Sequence, residues 1–192
     1  MRSFARNASL ATTAMAILAL DGSGTAAQEV GRFEVGQVVT ESELVAWDID
    51  IGVDGAGLPP GRGSVQEGKA IYEAKCLACH GREGQGGPMD RLAGGQGTLK
   101  SAAPIKTIGS YWPHATTVFD YVRRAMPLDK PQSLTADEVY ALTAYLLHLN
   151  RIVGADAVMD AKTLPKIRMP NVNALRPDPR PDASNTACER DC

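Results

Sequence analysis

Cys76, Cys79 and His80 stand in the order Cys-Leu-Ala-Cys-His. Two thiols three positions apart can each form a thioether with a vinyl group of haem, and the histidine that follows can ligate its iron. The same Cys-x-x-Cys spacing serves redox dithiols and makes half of many zinc sites. Neither alternative has support in this chain. No second Cys-x-x-Cys occurs, the other cysteines, Cys188 and Cys192, lie at the far C-terminus, and the motif does not follow a strand as a thioredoxin-like one would. The motif therefore reads as an attachment site for one covalent haem c, and the chemistry as the iron's.

With His80 on one side of the iron, the sixth position decides between electron transfer and catalysis. A methionine there favours reduced iron and suits an electron carrier, whereas an open position admits small ligands or peroxide. Beyond the first 27 residues the candidates are Met89, Met126, Met159, Met169, His114 and His148. Met89 is close after His80, in a loop expected on the proximal side. His148 reads as an exposed or capping residue near a helix end, and His114 as a hydrogen-bonding neighbour of the Tyr111-Trp112-Pro113 knot. Met159 and Met169 fall in a C-terminal tail. Met126 is the choice, because Pro127 forces it out of helical backbone at the end of a short helix and so frees it to face an iron. Tyr111 and Trp112 suit a haem-pocket wall, as apolar rings that also carry donors for a propionate, although plain core packing would use the same residues.

Three elements position these groups. Ser64-Val65-Gln66-Glu67 is a capping box that opens a helix running into Cys76, with Gly68 and Tyr72 one turn apart. A short helix is expected over 116–125, N-capped by Thr116 or Thr117. A third follows the capping box Thr135-Ala136-Asp137-Glu138 and carries Val139, Leu142, Leu146 and Leu149 on one face with Tyr145 beside it, a face expected to cross Gly68 and Tyr72. Between them, residues 81–97 are glycine-rich and read as irregular loop beneath His80.

The flanks are less informative. Residues 1–27 resemble a secretory signal: Arg2 and Arg6, an apolar run over 10–20, and small residues before Gln28. The run is too short to span a bilayer, which takes about 20 apolar residues. Export to the periplasm follows. Residues 28–63 form an arm of weak pattern ending in Gly- and Pro-rich loop, read as a surface extension over residues 64–152, which hold the haem. Residues 153–192, with five prolines from Pro165 to Pro181, are expected as an extended tail on the surface, with Cys188 and Cys192 either paired or free. Twenty basic against twenty-two acidic side chains give no basic stripe for nucleic acid.

The order of capped helix, Cys76-Leu77-Ala78-Cys79-His80, glycine-rich loop, short helix ending in Met126-Pro127 and amphipathic last helix resembles the all-α class I cytochrome c fold. That resemblance implies Cys76 and Cys79 holding haem, His80 and Met126 ligating iron, and Gly68, Tyr72 and Tyr145 at a helix crossing. Further blocks extend the likeness: Trp47-Asp48-Ile49-Asp50-Ile51, Gly57-Leu58-Pro59-Pro60-Gly61, Ile108-Gly109-Ser110-Tyr111-Trp112-Pro113, Arg124-Ala125-Met126-Pro127, Met169-Pro170-Asn171 and the Cys188/Cys192 ending. These are similar to the cytochrome subunit of sulfane dehydrogenase in the Sox sulfur-oxidation system and to sulfite dehydrogenase cytochromes. Membership would imply a molybdenum-containing dehydrogenase as electron donor and a downstream cytochrome or oxidase as acceptor, with no catalysis by this chain alone. Longer members carry two haem domains; one Cys-x-x-Cys-His here excludes a two-haem relay within the chain. A general periplasmic shuttle, and a haem enzyme or sensor with an open sixth site, are the competing functions.

Overall fold

A computed structural model describes residues 36–174. The leader at 1–27 and the Cys188/Cys192 pair lie outside the described residues. In chain order the elements are α1 (Glu41–Trp47), β1 (Arg62–Ser64), α2 (Val65–Lys75), α3 (Leu77–His80), α4 (Ala115–Ala125), α5 (Ala136–Leu149) and β2 (Val158–Asp160), with short 3-10 turns between.

The two capping boxes set their helices as the sequence indicates. Ser64 accepts from the Glu67 amide while the Glu67 carboxylate accepts from the Ser64 amide, and Thr135 and Glu138 repeat the arrangement at α5. Each pair satisfies two amides that a helix start leaves without partners. A third box, Thr40 with Glu43, opens α1, in the arm that the sequence left without regular structure. The N-cap of α4 differs from expectation: it is His114, which makes no side-chain cap. Thr116 is buried inside the first turn and donates its hydroxyl to the Val53 carbonyl at 3.2 Å, so tertiary contact has taken the group that a cap would use.

α5 is the centre of the fold. Val139 to Leu147 are all buried, so the helix is enclosed all round and not along one stripe, as happens when neighbours cover every side. α2, α4, β1 and β2 each pack against it. The α2–α5 crossing is close because Gly68 has no side chain. A Cβ there would sit 2.5 Å from the Ala141 carbonyl carbon and 2.8 Å from Tyr145 Cβ. Tyr72 and Tyr145 meet at the same crossing with ring centroids 5.4 Å apart, and Lys75 joins Glu138 at 2.6 Å. Gly63 repeats the device in β1: its Cβ would lie 2.5 Å from Ala141 Cα, so this strand lies directly on the α5 backbone.

The segment after Gly154 departs from the expected surface tail. β2 pairs antiparallel with β1, Gly63 opposite Met159, and Met159, Leu164 and Met169 are buried in the main core with Val139, Tyr140 and Phe119. Three isolated apolar residues thus close the side of α5 that the sequence left open. Both methionine side chains are thereby taken into the core beside α5.

Candidate functional site

α2 ends where the motif begins. Cys76 caps it with non-helical φ −121° and ψ −31°, and α3 then makes a single turn in which the Cys79 and His80 amides both donate to the Cys76 carbonyl, at 3.2 and 3.0 Å. That turn brings the two thiols and the imidazole onto one short stretch of helix. Gly81 leaves it at φ +75°. A side chain there is doubly excluded, by that conformation and by the Gly86 carbonyl group, whose carbon would lie 2.9 Å from a Cβ.

The loop that follows folds back under His80. Gly86 N donates to His80 O at 2.8 Å, Met89 N to Cys79 O at 3.0 Å, and Leu92 N to Gly84 O at 2.7 Å. His80 Nδ1 lies 2.7 Å from the Asp90 carbonyl oxygen. A carbonyl only accepts, so Nδ1 donates its proton there and Nε2 is left available to ligate a metal. Tyr72 reaches from α2 to donate to the Gly81 carbonyl at 2.8 Å. Buried Asn150, at the end of α5, holds the far part of the loop: Nδ2 donates to Leu92 O and Leu146 O, at 3.0 and 2.9 Å, and Oδ1 accepts from Gly94 N at 3.3 Å. Asn150 escaped the sequence reading, since nothing local separates it from an ordinary helix-terminal asparagine.

Neither cysteine is bridged. Burial pushes the Cys76 thiol up to about 11, against the opposing pull of Lys75. A redox dithiol works with a thiol lowered toward neutrality, the opposite direction to that in which burial moves Cys76. Among the described residues, no three His, Cys, Asp or Glu side chains gather as a metal cluster.

α4 ends as the Met126–Pro127 pair requires: Met126 has extended backbone, φ −118° and ψ 146°. Its half-buried side chain packs against the same apolar cluster as Cys76, Ile71, Leu92 and Trp112. Trp112 is half-buried with its ring edge-on to Tyr121 at 5.5 Å. Tyr111 is exposed, its ring lying 5.1 Å from Lys106 Nζ. Of the remaining ligand candidates, Met89 is exposed, His114 caps α4 through its backbone, and His148 Nδ1 is 3.2 Å from Val153 O. Arg123 donates to Ile49 O at 3.3 Å, and Arg124 pairs with Asp120 at 2.9 Å and with Asp50.

The donor set fits haem c: two unbridged thiols, one imidazole with a free Nε2, and a thioether sulfur on a shared apolar cluster.

This fold and motif define a class I c-type cytochrome, and the comparisons agree. Residues 63–146 match the family model described as cytochrome c oxidase, cbb3-type, subunit III. The chain belongs to the class I c-type cytochromes, an electron-transfer family that carries covalently bound haem. More particularly, it is similar to a solved structure, that of the sulfane dehydrogenase SoxCD from Paracoccus pantotrophus, at 40% identity and a TM-score of 0.73, over 84% of this chain and 82% of that one. A comparison with curated proteins gives no match. Among the described residues no helix is long and apolar enough to cross a membrane.

Proposed function

We propose that this chain is an exported, one-haem electron carrier that accepts electrons from a molybdenum-containing dehydrogenase of sulfane or sulfite substrates. The observation that carries the reading is 40% identity to a sulfane dehydrogenase structure over 84% of the chain. Cys76 and Cys79 would form the thioethers, and His80 Nε2 and the Met126 sulfur would ligate the iron. Bound there, haem c supplies a one-electron Fe(III)/Fe(II) couple. The Asp90 carbonyl fixes the imidazole tautomer and plane, and Tyr72 holds the peptide that follows His80. Trp112 forms a wall of the pocket and Tyr111 its rim. No general acid or nucleophile of this chain takes part. Residues 1–27 direct the chain to the periplasm, and a downstream cytochrome or oxidase reoxidises it.

The test mixes the oxidised, haem-loaded chain with the purified molybdenum subunit and its sulfur substrate. The reading predicts reduction of one haem per chain, dependent on both enzyme and substrate, within a complex that survives purification. Reduction no faster than by an unrelated periplasmic donor would refute it in favour of a general shuttle.

A further inference from the structure

α1 is capped and formed, yet it buries nothing: Leu44, Val45 and Trp47 are 47%, 65% and 83% exposed. Helices this short are not stable in water on their own propensity, and an indole left in solvent forgoes the large burial that makes tryptophan an anchor. Meanwhile the arm behind α1 is fixed. Asp50 pairs with Arg124, Ile49 O accepts from Arg123, Val53 O accepts from Thr116, and Pro59 O accepts from Tyr140. Three of these holds come from α4, the helix that ends at Met126. The stretch that directly follows α1 is therefore fastened to the helix that ends at Met126.

We propose that α1 is the anchor by which the dehydrogenase subunit grips this chain, its Leu44, Val45 and Trp47 side chains seated in an apolar groove edged by Lys and Arg. This rests on the reading of the chain as that enzyme's electron-accepting subunit. Charge selects the occupant. Glu41, Glu43 and Asp48 border the apolar side chains, all exposed and without an ion pair among the described residues. A basic-edged groove complements them. A second copy would set these acids against their like, and an anionic lipid surface would repel them. The chain's own C-terminal stretch, 175–192, contains one large aliphatic residue, Leu175, too little to cover three side chains. Placement serves the function, since the anchor leads straight into the stretch that α4 holds, Ile49 to Val53.

The experiment measures binding of the haem-loaded full chain to the purified molybdenum subunit, wild type against Trp47→Glu and Trp47→Ala. Because α1 buries nothing, both variants keep wild-type circular dichroism, haem spectrum and rate of reduction by ascorbate. The expected result is at least ~30-fold weaker binding for Trp47→Glu, the size of losing a buried aromatic anchor, and a smaller loss for Trp47→Ala. If wild type binds and Trp47→Glu binds as tightly, the anchor is refuted while the functional reading stands. If wild type does not bind, the functional reading itself fails. Trp47-dependent dimers in sedimentation, or Trp47-dependent binding to phosphatidylglycerol vesicles, would overturn the choice of occupant.

Discussion

Replacing Gly68 by alanine should destabilise the protein, although in an exposed helix interior the same change would stabilise it. Propensity alone favours alanine over glycine by about 1 kcal/mol. Against that, the new Cβ would stand 2.5 Å from the Ala141 carbonyl carbon and 2.8 Å from Tyr145 Cβ, in the α2–α5 crossing. Forcing a methyl into a packed contact costs about 1–3 kcal/mol, and the upper end applies because most of the obstacle is backbone, which cannot rotate away. The net is a loss of about 2 kcal/mol, or roughly 4–8 °C in Tm for a chain of this size. Thermal unfolding of the haem-loaded protein by far-ultraviolet circular dichroism measures it. Ala70→Gly, exposed on the same helix, isolates the propensity component and should lose about 1 kcal/mol. A Tm for Gly68→Ala equal to or above wild type would mean the crossing is looser than described and the reasoning wrong.

Other outcomes follow from the same contacts. Leu164→Ala empties a fully buried site in the segment after Gly154 and should cost about 2–5 kcal/mol in urea unfolding; a loss under about 0.5 kcal/mol would return that segment to the surface. The Glu138 carboxylate is held below its usual range, first by Lys75 and then by the Thr135 amide. Its contribution is therefore complete above the ordinary glutamate value of about 4.3 and disappears as pH falls through the depressed one. Glu138→Gln should lower stability by about 1 kcal/mol at neutral pH and converge with wild type in acid, as urea midpoints at the two pH values would show; a gap that persists in acid refutes the pairing.

What the sequence made legible was local. The Ser64 and Thr135 boxes each need only four consecutive residues to specify a helix start, and Met126 leaves α4 because Pro127 adjoins it. The α2–α5 crossing was legible too, since a glycine one turn from a tyrosine on a helix leading into the haem motif has few other uses. Contacts between distant residues were not. Arg124 meets Asp50 across 74 positions, and neither shows this in its neighbours. Met159, Leu164 and Met169 look like scattered apolar residues in a proline-rich tail until α5 supplies the surface they cover. Thr116 resembles a cap and is instead a buried donor to Val53. The Thr40 and Glu43 box at α1 was present to be read, but no apolar period supported it, because this helix packs on nothing within the described chain. Asn150 shows the same limit at the site: its role depends on a loop more than fifty residues earlier.

The central claim is that haem c is held by Cys76, Cys79 and His80 with Met126 as the sixth ligand. It is tested most directly by optical spectra of the haem-loaded protein, oxidised and reduced, for wild type and Met126→Ala. The account predicts a low-spin six-coordinate wild type with a methionine-to-iron charge-transfer band in the far red, inert to carbon monoxide when reduced. Met126→Ala should lose that band and bind carbon monoxide. A band that survives the substitution, or a wild type that lacks it and binds carbon monoxide, would contradict the account.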